Sequence, residues 1–192
     1  MFLVWKKLKE ENRIKKLIKE IFHHLYQKGL ITASDGNISY KISEKKIIIN
    51  KTNVFKGKIR EEDLIIVNLN KELPATASKE LKLHLNLYAI NPQIKAIIHS
   101  HPIYPLIIKK PNKDFLKGTG LKEKEISFLP YYQPGSEELA AKIKKIGKDK
   151  RLIILKSHGI VVLEKDLKEA FFLTEKINFW AKYQYLQELK KQ

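Results

Sequence analysis

A short apolar run, Ile94-Lys95-Ala96-Ile97-Ile98, leads straight into His99-Ser100-His101. Runs of this length, rich in β-branched residues, favour a strand. Side chains alternate along a strand, so His99 and His101 project from the same face and Ser100 from the other. A third histidine lies far down the chain in Ser157-His158-Gly159, and a carboxylate lies upstream in Ser78-Lys79-Glu80. Two histidines on one strand face, a third from a distant turn and a nearby carboxylate match the ligand types that zinc takes. Glu80, His99, His101 and His158 are therefore the candidate metal set.

Composition narrows the alternatives. The chain has no cysteine, so thiolate metal sites and a disulfide framework are ruled out and histidine and carboxylate remain. At 192 residues and 43% hydrophobic content, one domain spanning 1–192 with a real core is expected. No run approaches about 18 uninterrupted apolar residues, so no membrane-spanning helix is expected. The apolar stretch near Met1 is too short for a signal peptide, and a cytoplasmic protein is expected.

A net charge of +17 raises the question of nucleic acid, which basic proteins bind through counterion release. The lysines are spread along the whole chain, many beside glutamates, and the arginines are Arg13, Arg60 and Arg151 alone. Readers of phosphate and bases lean on arginine's planar fork, and no nucleic-acid motif is present. No nucleic-acid partner is expected. A positive field that attracts an anionic small molecule accounts for the charge.

The remaining elements follow from periodicity. Apolar residues from Asn12 to Lys28 recur at helical spacing, with Gly29 as the stop. His23 and His24 sit within that helix as surface or core residues. Ser34-Asp35-Gly36-Asn37-Ile38-Ser39 reads as a turn opening into strands at 38–42 and 46–50. It is either a plain hairpin-type turn or one that brings main-chain N–H groups toward a ligand. A strand is expected at 64–69 and a helix from an N-cap at Ser78 to about Ala89. His84, four residues after Glu80 on that helix, is either a structural residue holding the helix to the site or part of its chemistry.

Pro102 begins a short helix or turn, and 112–124, with Gly118-Thr119-Gly120, reads as a surface or subunit-contact loop. A strand at 126–131, a helix capped by Ser136 and running to Ile146, strands at 151–155 and 160–163, and an amphipathic helix over 165–190 complete the pattern. One α/β domain with a sheet between helix layers accommodates it.

Read in order, DGNIS, the SKE helix start followed by LHLNLY, AIIHSHP, PYYQPGSEEL and SHGIVVLEKDLKEAF resemble the class II aldolase and adducin-head family. The resemblance covers Asn12 to Gln187. It implies a three-layer α/β/α sandwich with a central mixed, largely antiparallel sheet. It further implies a homotetramer with sites at subunit interfaces. In enzymes of the family the matching histidines, here His99, His101 and His158, hold zinc. The matching glutamate, Glu80, lies at the metal as acid and base. A phosphate pocket maps to Gly36, Asn37, Thr52, Ser78 and Lys79. The activity implied is retro-aldol cleavage of a short phosphorylated ketose, of the L-fuculose 1-phosphate kind, to dihydroxyacetone phosphate and an aldehyde.

Departures from the family pattern bear on that expectation. Thr52-Asn53 replaces the usual Thr-Gly, and asparagine tolerates the left-handed backbone that such a turn needs. Lys79 replaces a serine, as in members that decarboxylate 3-oxo-tetronate 4-phosphates, and that reaction is the nearest alternative. The tyrosine that fuculose phosphate aldolases take from a neighbouring subunit has no clear counterpart, and Tyr131 and Tyr132 are nearby candidates. The 4-epimerase and dehydratase branches fit less well, because SKE replaces SSD and no cysteine is present. A metal-free, adducin-like interaction domain is the alternative outside the enzymes, and the complete ligand set argues against it.

Overall fold

Alternation along seven strands sorts apolar side chains onto two faces of one sheet, and helices cover both. The computed structural model describes residues 2–191, with side chains from Leu8 onward. In chain order the elements are α1 (Phe2–Gln27), β1 (Asn37–Ser43), β2 (Lys46–Asn50), β3 (Leu64–Asn68), α2 (Leu81–Ile90) and β4 (Ala96–Ser100). They continue with α3 (Ile103–Ile107), α4 (Lys113–Thr119), β5 (Ile126–Leu129), α5 (Glu137–Ile146), β6 (Leu152–Leu155), β7 (Gly159–Glu164) and α6 (Leu167–Leu189). Short 3-10 turns lie between them. The strand order is β3-β2-β1-β4-β7-β6-β5. Every neighbouring pair is antiparallel except β5 with β6.

One core lies under α1, α3, α4 and α6 and takes Ile38, Ile48, Ile98, Ile154 and Val162 from the sheet. The other lies under α2 and α5 and takes Ile47, Ile49, Ile97, Ile153 and Val161. Successive residues of a strand thus feed opposite cores, the period-2 pattern read from the sequence. Helices, sheet, helices make a three-layer α/β/α sandwich, as expected. The register Ile97↔Leu163 and His99↔Val161 puts β4 at the centre of the sheet. His99 shares its face with Ile97, toward α2.

Several boundaries differ from expectation. α1 starts at Phe2 rather than Asn12, because the segment before Asn12 is rich in lysine, leucine and glutamate and holds no glycine or proline to stop a helix. β5 ends at Leu129 rather than Tyr131, where Pro130 lacks the N–H that would continue the ladder. The Ser136 cap is borne out, its hydroxyl accepting from the Leu139 N–H at 3.1 Å. α6 is capped by Asp166, whose carboxylate accepts from the N–H groups of Lys168 and Glu169, both at 2.9 Å.

Ser78 does not cap α2. Its N–H donates to the Asn50 carbonyl and its neighbour Ala77 bridges Lys51, so the chain is still paired beside β2 at this point. Glu80 occupies the cap position, and its side chain makes no capping bond. The hydroxyl of Ser78 instead accepts from the Glu80 N–H at 3.3 Å, which holds the turn that presents the carboxylate.

The segment expected to be a loop over 112–124 contains α4. Asn112 caps it, accepting from the Phe115 N–H at 2.8 Å, and Gly120 ends it in the left-handed conformation at φ +71°. Gly118 is there for proximity: a Cβ on it would lie 1.9 Å from Cε2 of Trp180 on α6. Gly118→Ala should therefore push α4 off α6 and cost about 1–3 kcal/mol, the usual penalty of overpacking. Urea unfolding of the two proteins checks this, and equal midpoints would contradict the packing described.

Candidate functional site

The pairing of β4 with β7 builds the site. Ser100 lies opposite Ile160, so the next residue of each chain, His101 and Gly159, meet just past the ladder. Gly159 has to be glycine: a Cβ would lie 2.5 Å from the Ser100 carbonyl oxygen, 2.6 Å from His101 Cδ2 and 2.9 Å from His99 Cε1. Before it, Ser157 takes the left-handed conformation at φ +56°, and the His158 N–H closes a turn on the Leu155 carbonyl at 3.1 Å. Left-handed backbone is costly for a serine, and the turn that aims His158 over the strand imposes it.

The three imidazoles converge through Nε2. His101 Nε2 and His158 Nε2 lie 2.9 and 3.2 Å from His99 Nε2. Glu80 adds its carboxylate, with Oε2 3.1 Å from His99 Nε2 and Oε1 3.7 Å from His158 Nε2. The His99 Nδ1–H donates to the Ile160 carbonyl at 2.9 Å, which fixes the ring and leaves Nε2 as a bare lone pair. His101 Nδ1 lies 3.9 Å from Asp35.

Burial pushes His99 and His101 down to about 3, with the neighbouring rings lowering each further, and burial lowers His158 as well. Neutral rings are the metal-binding form. Glu80 Oε1 is buried and lacks a hydrogen-bond partner among the described residues. Donor atoms about 3.3 Å apart are the edge of a tetrahedron with metal–nitrogen bonds of about 2.0 Å. Converging Nε2 atoms, neutral rings and an orphaned carboxylate oxygen fit a divalent metal that favours nitrogen and oxygen.

The structure brings the other expected residues to the same place. Gly36, Asn37, Thr52, Ser78 and Lys79 line a cleft of about 360 Å³ together with Glu80, His101, His158 and Tyr131. Gly36, at φ +79°, packs its α-carbon so close to β4 that a Cβ would lie 3.0 Å from the His99 carbonyl oxygen. Asn53 adopts φ +55°, so asparagine does supply the left-handed turn that glycine usually provides. The Asn37 side chain points inward: its Nδ2 donates to Glu80 Oε2 at 2.8 Å and its Oδ1 meets His84. Tyr131 is exposed at the rim, and Tyr132 packs against the core under α2 and α5.

The Class II Aldolase and Adducin N-terminal domain model matches residues 16–185. The chain belongs to the class II aldolase and adducin family. An L-fuculose phosphate aldolase of Methanococcus maripaludis is 33% identical over 171 residues, 87% of this chain and 93% of that protein. A 3-oxo-tetronate 4-phosphate decarboxylase of Haemophilus influenzae is 27% identical over 178 residues, 88% of this chain and 85% of that protein. The crystal structure of an L-fuculose-1-phosphate aldolase from Thermus thermophilus shares the fold at a TM-score of 0.82. It is 24% identical, covering 95% of this chain and all of that one.

Within this family member one further lining residue has no signal in the sequence, because it is one lysine among many. Lys56 is 1% exposed, packs its ammonium 5.6 Å from the centre of the Phe22 ring and donates to the Val54 carbonyl at 3.0 Å. Burial pushes it down to about 8, against the pull of Asp35 and Asp63. An unfolded lysine holds its proton to about 10.4. Between those values the unfolded chain binds more protons, so this group makes stability rise with pH from about 8 to about 10.4. Lys56→Met should remove that rise and have its largest advantage over the parent near pH 7. Urea unfolding at pH 7 to 10 measures it, and an identical pH slope in both proteins would contradict a charged Lys56 in the interior.

Proposed function

We propose that the protein is a zinc-dependent aldolase that cleaves a short phosphorylated ketose, of the L-fuculose 1-phosphate kind, to dihydroxyacetone phosphate and an aldehyde. The observation that carries this reading is a cluster of three histidines, two of which, His101 and His158, line one cleft together with Glu80, the Gly36 turn, Thr52 and Ser78. The names of the archaeal relatives support the same substrate.

His99, His101 and His158 would hold the zinc, with Glu80 beside them, and the bound ion supplies a Lewis acid for negative charge on the substrate's oxygens. Glu80 moves the proton at the carbon freed when the carbon–carbon bond breaks, using the Oε1 that has no hydrogen-bond partner among the described residues. The Gly36-Asn37 turn, Thr52, Ser78 and Lys79 hold the phosphate. Asn37 serves by anchoring that turn, since its side chain is engaged with Glu80. Lys51, Lys56 and Lys79 outnumber Asp35 and Glu80 on the cleft wall, a balance that draws in a phosphate. Tyr131 at the rim is the nearest candidate for a second acid or base.

Lys79 and the decarboxylase relatives favour a second reading, loss of carbon dioxide from a 3-oxo-tetronate 4-phosphate at the same site. We further propose a cytoplasmic homotetramer, a reading supported by the exposed Phe172, Phe179, Tyr183 and Leu186 along α6. The single domain over 1–192 is part of the same reading, and no described helix is long and apolar enough to cross a membrane.

Purified protein supplied with zinc and each substrate should release dihydroxyacetone phosphate from the ketose phosphate. Carbon dioxide from the oxo acid instead would establish the second reading. Glu80→Gln should keep most of the zinc on three histidines while turnover falls by about 10²–10⁴-fold, the usual weight of general acid–base catalysis. Binding of no divalent metal would overturn both enzyme readings. Near-normal turnover of the zinc-loaded Glu80→Gln protein would remove Glu80 from its role.

A further inference from the structure

We propose that His84 is a positioning residue for the Glu80 carboxylate, acting through Asn37 and held in turn by Ser39 and Tyr88. This rests on the reading of Glu80 as the acid and base. Asn37 and Ser39 share the face of β1 that looks toward α2, and α2 places His84 between them. Glu80 Oε2 lies 2.8 Å from Asn37 Nδ2, and Asn37 Oδ1 bonds His84 Nε2. His84 Nδ1 lies 2.6 Å from Ser39 Oγ, and Ser39 Oγ lies 2.8 Å from the Tyr88 hydroxyl. Asn37, Ser39, His84 and Tyr88 are all buried.

The chemistry of the ends fixes every proton in between. An ionised carboxylate only accepts, so Asn37 turns its NH2 toward Glu80 and its oxygen toward His84. His84 must then carry its proton on Nε2, which leaves Nδ1 bare to accept the Ser39 O–H. Ser39 has spent its proton and accepts from Tyr88. At the far end the Tyr88 hydroxyl shares its one proton between the Lys95 carbonyl at 3.1 Å and Ser39 Oγ at 2.8 Å, and Ser39, its own proton given to His84, accepts.

From Ser39 inward the donors therefore all point the same way, toward Oε2. An amide cannot be counted on to pass a proton along, so the chain holds rather than conducts. Its effect is to pin Oε2 and leave Oε1, beside His158, without a hydrogen-bond partner among the described residues. Burial keeps His84 neutral, down to about 3, as this arrangement requires.

The test uses zinc-loaded full-length protein. Side-chain nitrogen NMR of His84 should show Nε2 protonated and Nδ1 bare at neutral pH, and the opposite tautomer would overturn the chain without touching the aldolase reading. On the substrate that the parent cleaves, His84→Leu should lower kcat by about 10- to 100-fold with KM changed less than about threefold and zinc retained. His84→Gln, which keeps a donor toward Asn37, should recover most of the loss. Ser39→Ala should lower kcat in the same direction by less, and it carries the test if His84→Leu fails to fold.

In the Glu80→Gln background His84→Leu should cost nothing further. If Glu80→Gln abolishes turnover while His84→Leu and Ser39→Ala leave kcat unchanged, the positioning role is wrong and the base is not. If Glu80→Gln itself turns over normally, the reading beneath it fails instead.

Discussion

The antiparallel register of β4 against β7 is the constraint on which the site depends. It sets Ser100 opposite Ile160, and one step further it sets His101 against Gly159. Only the absence of a side chain at Gly159 lets the backbone come within reach of the Ser100 carbonyl and both rings. A slip of one residue would exchange the faces of β4 and send His99 and His101 into the opposite core. The same pairing supplies the Ile160 carbonyl that holds the His99 ring. The converging histidines, their orientation and the chain's central pair of strands are thus one arrangement.

Around it, two loops close the cleft from the α2 side. The turn before β1 leans on the His99 carbonyl through Gly36, and the turn before α2 presents Glu80 through the Ser78 hydroxyl. Backbone in sparsely populated conformations recurs around the cleft, at Ala33 before β1, Asn53 after β2 and Ser157 before β7. Each costs stability, and the two packed cores on either side of the sheet offset it. Neutral histidines buried beside a carboxylate are likewise an arrangement that a small polar cluster would not adopt unsupported. The Asn37–His84–Ser39–Tyr88 chain satisfies the polar groups that the cores cannot.

Strand positions were readable because short apolar runs rich in β-branched residues mark them, from Ile47-Ile48-Ile49 to Val161-Val162. The histidine cluster was readable because two histidines two residues apart on a strand have one geometric consequence. What escaped depends on contacts distant in sequence. Gly118 looks like a loop residue until Trp180 is set against it. Ser78 looks like a helix cap until Asn50 takes its N–H. His84 was legible as a residue that holds its helix to the site, but its partners were not until β1 supplied Asn37 and Ser39. Lys56 has no local pattern at all, since its burial comes from Phe22 on α1 and the turn at Ala33. The left-handed Ser157 was equally hidden, because the requirement comes from where His158 must point.

The central claim is that His99, His101 and His158 act together as one ligand set with Glu80 beside them. X-ray absorption at the zinc edge of the loaded protein measures this without any substrate. The account predicts three imidazole nitrogens at about 2.0–2.1 Å and one or two oxygens, in a shell of four or five. A six-coordinate shell dominated by oxygen, with one imidazole or none, would contradict it.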